Sequence, residues 1–133
     1  MRFRKEHGSA MAETAVVMPV VLVLTFALIN FAIAGYASVA ASNAANYGAR
    51  VGSVTQRAAA GAAATAAQAT LEKTMIGEYQ VAAAGGGRPG SRITITVNWR
   101  VPNWIGSILS LLGGGGGIEF KGTSAATFRQ EGW

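Results

Sequence analysis

Between Glu13 and Arg50 the chain carries no charged side chain. No other feature limits the fold so strongly. The first part of this stretch, Thr14 to Ala34, is interrupted only by Thr14, Pro19, Thr25 and Asn30. It runs for about 21 residues, the length a helix needs to cross roughly 30 Å of hydrocarbon. The spacing predicts a membrane span that continues outward to about Ala49, roughly 54 Å of helix at 1.5 Å per residue. Pro19 removes one backbone donor and is expected to kink the helix. Arg2, Arg4 and Lys5 precede the apolar run and no positive charge follows until Arg50. That asymmetry predicts a cytoplasmic N-terminus and an exported remainder. A cleaved secretory signal is the competing reading, with Ala32-Ile33-Ala34 as the small-x-small site and a released binding module starting near Gly35. The length of the run argues against it.

Glu13 sits just inside this run. An ionisable group at the edge of hydrocarbon is costly and needs a partner or a water path, which marks it as a functional position. A Glu that only snorkels to the interface is the bland alternative.

Composition excludes most catalytic chemistry. The chain has no Cys, no Asp and one His, His7 in the basic tail. A nucleophile–base–carboxylate triad and a catalytic metal site both need side chains that are missing. The chain is therefore read as a non-enzyme with no metal and no cofactor. Arg88, Arg92, Arg100, Lys121 and Arg129 leave the C-terminal portion basic. No recognised nucleic-acid motif accompanies them, so they are read as a solvated surface.

Beyond the apolar run, Ala34, Ser38, Ala41, Ala45, Gly48 and Gly52 recur at four- and three-residue spacing and form a stripe of small side chains, a pattern that lets helices approach closely. Gly48, Gly52 and Ser53 mark the end of the first helix. A second Ala-rich helix is expected from about Ala58 to Ala84, with Leu71, Met75 and Tyr79 on one face and Gly85-Gly86-Gly87 as its terminator. The stretch Gly85 to Gly90 satisfies G-x-G-x-x-G, but it follows a helix and precedes a strand, the reverse of a dinucleotide site. The run Gly113 to Gly117 is read as a turn for want of a following Gly-Lys-Ser/Thr. Ile93 to Val101 alternates strictly, placing Ile93, Ile95, Val97, Trp99 and Val101 on one face of a strand. A second strand is expected from Ile118 to about Phe128. The expected fold is thus α+β: a long N-terminal helix, a second helix and a two-stranded antiparallel hairpin. Three segments follow, a basic leader at 1–8, the extended helix at 9–52 and a small head at 53–133. Two strands cannot cover the Ile93–Val101 face. Trp99, Trp104, Leu111 and Leu112 are therefore candidates for docking the head on a partner.

These pieces resemble one family. A basic leader ending in Gly8, then Glu13 and an apolar helix, resembles the class III signal of type IV pilins and pseudopilins. The detail is closer to the TadE-like proteins of tight-adherence (Flp/Tad) pilus systems. The matching segments are Gly8-Ser9-Ala10-Met11-Ala12-Glu13-Thr14-Ala15, Pro19, Asn43-Ala44-Ala45-Asn46-Tyr47-Gly48-Ala49-Arg50, the Ile-Thr-Ile-Thr-Val strand and Ala125 to Glu131. Thr14 stands where the family usually has Phe or Tyr. The resemblance implies a membrane-anchored minor pilin or pseudopilin of the inner membrane that joins a helical bundle in a filament. Its implied partners are other pilin or pseudopilin subunits, the pilus assembly machinery and a prepilin peptidase. It further implies cleavage between Gly8 and Ser9, and a role for Glu13 in compensating the new amine of Ser9 during subunit assembly.

Overall fold

A computed structural model describes residues 4–111, 113 and 119–131, the side chains of 4–9, 108, 109 and 111 excepted. The element order is α1 (Arg4–Val54), α2 (Ala59–Leu71), β1 (Glu78–Gly85), β2 (Arg92–Val101), α3 (Trp104–Leu111) and β3 (Phe120–Arg129). The chain divides into two units. Met1–Ala32 and Asn103–Gly117 form one, and Ile33–Pro102 with Ile118–Trp133 the other. Helix α1 contributes to both.

In the first unit the helix is apolar all round. Val16, Val17, Met18, Val20, Val21, Leu22, Val23 and Leu24 are all exposed. A helix without a polar face is either a buried core element or a membrane span, and this one is not buried. Its polar side chains turn back on the helix: Thr14 Oγ1 donates to the Ala10 carbonyl (2.8 Å), Thr25 Oγ1 to that of Val21 (2.8 Å) and Asn30 Nδ2 to that of Phe26 (2.9 Å). Such bonds satisfy the side chains where no water is available. Ala10–Val54 is the one helix among the described residues long and apolar enough to cross a membrane. Pro19 lies inside it.

The second unit is a helical layer on a sheet. Strands β1, β2 and β3 pair antiparallel in the order β1-β2-β3. Ile93, Ile95 and Val97 of β2 are fully buried, together with Ala41, Ala44, Ala45 and Ala49 of α1 and Ala63 and Ala67 of α2. Ser42 of α1 hydrogen-bonds Ser124 of β3 (3.1 Å). Small helical side chains let the two helices sit close above the sheet. The branched side chains of β2 then fill the space between the layers.

The sheet has three strands where a hairpin was expected. Helix α2 stops at Leu71, and the segment read as its second half is β1. The Leu71–Met75–Tyr79 stripe does not exist: Met75 is 96% exposed in the connection, and Gly77 takes a positive φ of 99° just before the strand. Alanine favours helix intrinsically, but pairing with β2 decides the state of Val81-Ala82-Ala83-Ala84. Tyr79, Val81 and Ala83 pack against the core, while Gln80 and Ala82 face out. Burial pushes the Tyr79 phenol above its ordinary value and nearby Tyr36 adds to this, so the hydroxyl stays protonated and donates to the Ile76 carbonyl (2.8 Å). The triple glycine lies at the β1–β2 turn, with Gly85, Gly86 and Gly87 all at positive φ. Expected strand residue Ile118 lies outside the described residues, and β3 runs from Phe120 to Arg129.

The unit is closed by Gln130, which is 3% exposed. Its Oε1 accepts from the Gly87 amide (3.0 Å) and the Ser91 hydroxyl (3.2 Å), and its Nε2 donates to the Thr55 carbonyl (2.8 Å). One side chain thus joins the end of β3, the β1–β2 turn and the α1–α2 connection. Gln130→Ala would remove the side-chain partner of the part-buried Gly87 amide and Thr55 carbonyl, at about 0.5–1.5 kcal/mol per bond. A urea titration of the full chain in detergent should show a lower midpoint, and an unchanged midpoint would show that these bonds are replaced by water.

Candidate assembly surface on the N-terminal helix

Gly8 and Ser9 lie within α1, which begins at Arg4. The helix is therefore already formed across the expected processing point. Glu13 stands one turn further on. Its side chain is exposed and lines a shallow groove with Thr14, Val17, Met18 and Val21. Val17 and Val21 lie four and eight positions on, so the carboxylate shares a face with branched apolar side chains. Among the described side chains of α1, Glu13 is thus the one acidic group, on a surface otherwise built for an apolar environment. Pro19 borders a separate apolar groove with Val20, Val23 and Leu24.

The small-residue stripe divides in two. Ala34 and Ser38 are half-buried. Ala41, Ala45, Gly48 and Gly52 are buried, and their partners include α2 and the sheet of the same chain. A Cβ at Gly48 would stand 2.6 Å from the Ala63 carbonyl oxygen and 2.8 Å from the Ala67 Cβ, and one at Gly52 would stand 2.8 Å from the Ala63 Cβ. The glycine spacing that predicts a close helix approach is thus filled from within the same chain.

The expected docking face of the head is also interior. Ile93, Ile95, Val97 and Val101 are fully buried, and the first three pack in one core with alanines of α1 and α2, which cover a face that two strands would have left open. Trp99 is half-buried against the core, its ring lying over Gly122, its partner across the β2–β3 pair. A Cβ at Gly122 would stand 2.5 Å from that ring, so the glycine makes the seat. Trp104 is 51% exposed in the first unit, not in the head. Leu111 ends α3, and Leu112 lies outside the described residues. Arg100 and Glu119 pair at 3.3 Å on the surface, where such bridges add little.

Sequence reasoning missed Asn30 and Gln130. Asn30 is 1% exposed, and its Oδ1 accepts from the Trp104 amide at the start of α3 (3.2 Å). Its signal was visible, a lone amide in an apolar run. Gln130 had none, because nothing near it in sequence distinguishes it from a surface glutamine. Among the described residues no group of three His, Asp or Glu could hold a metal.

These features define a class: a protein with a membrane-length N-terminal helix that continues into the core of a small α+β head. Within that class the N-terminal segment is specific, since residues 8–50 match the family model described as TadE-like protein. The match contains Gly8, Ser9, Glu13, Pro19 and the stripe as far as Gly48, and with the apolar helix it supports a membrane-anchored protein associated with the tight-adherence pilus. No curated protein and no solved structure matches the chain.

Proposed function

We propose that this protein is a non-enzymatic pilin-like subunit that takes part in assembling a tight-adherence pilus, inserting the first half of α1 into a bundle of similar helices. The observation that carries the reading is the placement of Glu13, a carboxylate on an all-apolar helix surface inside the TadE-like segment. In a bundle that carboxylate is removed from water, which is tolerated only when it is paired and hydrogen-bonded. Cleavage after Gly8 adds a cation with which it can pair in the bundle, because Ser9 then carries a free amine at the start of the mature chain. The N-terminus lies on the cytoplasmic side of the inner membrane before assembly, and the head lies outside. Assembly uses the apolar helix surface, since the interior of the head is already filled.

N-terminal sequencing of the membrane-bound protein should return Ser9 as the first residue. A chain starting near Gly35 and recovered in soluble form would establish a released module instead. Glu13→Ala should be processed as efficiently as the parent yet fail to enter pili. Normal piliation by that strain would remove the charge-pairing role.

A further inference from the structure

Helix α3 lies in the same unit as the membrane-length helix, although it connects two strands of the head. Its start is fixed there by the Asn30 side chain, which receives the Trp104 amide while bonding the helix it stands on. Asn103 caps α3 as well, its Oδ1 accepting from the Gly106 amide (3.2 Å). Two amides that water would otherwise satisfy are therefore satisfied within the protein, the condition for backbone to enter an apolar medium. The sequence agrees. From Pro102 to Ile118 no charged residue occurs, and the only polar side chains of α3 are Ser107 and Ser110. Ser110 Oγ donates to the Ser107 carbonyl (2.7 Å). Trp104 nevertheless keeps 51% of its surface exposed.

Depth follows from the attachment point. Asn30 lies four positions before Ala34, the end of the apolar run, which is about 6 Å along the helix axis. Interfacial helices seat their apolar face roughly 5–10 Å into the boundary between headgroups and acyl chains. Tryptophan is enriched at that level, where its ring is in apolar surroundings and its N–H reaches polar groups.

We infer that α3 is a second membrane-contacting element, an interfacial helix that enters the lipid surface beside the span with Trp104 as its anchor. The inference rests on the reading of α1 as membrane-spanning. The occupant of the exposed α3 surface is the bilayer, because α3 starts on the side chain of Asn30, inside the apolar run that the span presents to lipid. The head is therefore tied to the membrane at two points of the chain, through α1 and through the β2–β3 connection.

The test uses the full chain in phosphatidylcholine vesicles whose acyl chains carry bromine, a contact quencher of tryptophan. One variant keeps only Trp104 (Trp99→Phe, Trp133→Phe). A second reports the span, with Leu22→Trp in a chain whose own three tryptophans are Phe. Both reporters should lose about half of their emission relative to unbrominated vesicles, the Trp104 emission being blue-shifted, as expected for a ring at acyl depth. Quenching of the Leu22→Trp reporter alone, with Trp104 open to aqueous iodide, would overturn the inference and leave the anchor standing. A blue-shifted Trp104 that neither bromine nor iodide reaches would mean that protein covers α3, and would also overturn it. Failure of both reporters would remove the spanning reading and the inference together. An independent variant leaves every tryptophan in place. The chain has no Cys, so Ser107→Cys takes a single nitroxide label. That label should be more accessible to oxygen dissolved in lipid than to an aqueous nickel chelate, and the reverse order would refute the lipid contact.

Discussion

Ile95→Ala should lower the stability of the head by about 2–5 kcal/mol, the range for truncating a fully buried branched side chain. Ile95 stands at the centre of β2, paired with Ala83 on one side and Ala126 on the other, and no part of it reaches solvent. The core it belongs to is largely alanine. An alanine cannot extend into a void, so the cavity stays open and the cost falls in the upper part of that range. Marginal domains have only about 5–15 kcal/mol in total, so a single truncation here removes much of the reserve. Thermal unfolding of the full chain in detergent, followed in the β-sheet region of the circular dichroism spectrum, checks it. A midpoint within a degree or two of the parent would mean that the sheet and helices are not packed through β2. Ile95→Val, which removes one methylene, should cost only about 0.5–1.5 kcal/mol.

Gly48→Val should be comparably damaging, for the opposite reason. There is no room for any side chain at this position, because the first atom of one already meets the Ala63 carbonyl and the Ala67 methyl group. The nearest obstacle is backbone, which cannot rotate away, so α1 and α2 must separate. Overpacking of this kind costs typically 1–3 kcal/mol and occasionally more. Gly35→Ala is the matched control. Nothing lies within 4 Å of a Cβ there, and the position is also helical. Replacing an open helical glycine with alanine should stabilise by roughly 0.8–1.0 kcal/mol through helix propensity alone. The two substitutions should therefore move the unfolding midpoint in opposite directions. If both raised it, the close approach of α1 and α2 would be wrong.

The elements visible in the sequence were those whose residues report their surroundings directly. The charge-free run could only be a helix of membrane length. Ile93 to Val101 could only be a strand, because branched residues alternate there without exception. The segment Glu78–Gly85 was not legible, because its alanines favour helix and the choice was made by pairing with β2, which lies on the far side of a turn. For the same reason the buried partners of Gly48 and Gly52 could not be named. A stripe of small residues records that something approaches closely, but not whether it belongs to the same chain. The candidate assembly residues were legible because Glu13 and Gly8 are conspicuous against their neighbours. Asn30 was equally conspicuous, but its role depends on Trp104, 74 positions away.

The closure at Gln130 sets the order of events during synthesis. Its amide meets the Thr55 carbonyl across 75 positions, and the Glu131 amide bonds the Ser53 carbonyl (2.8 Å). The last strand therefore completes a layer whose helices leave the ribosome long before it. Small domains generally fold as units, so this head remains unfinished until Gln130 and Glu131 have been translated. In the interval α1 shows the face that β3 will help to cover. That face is alanine, serine and glycine, so it offers little apolar area to other nascent chains. A core of small side chains gives up burial energy in the finished head, and in return the half-made chain can wait for β3 without strong adhesive surfaces.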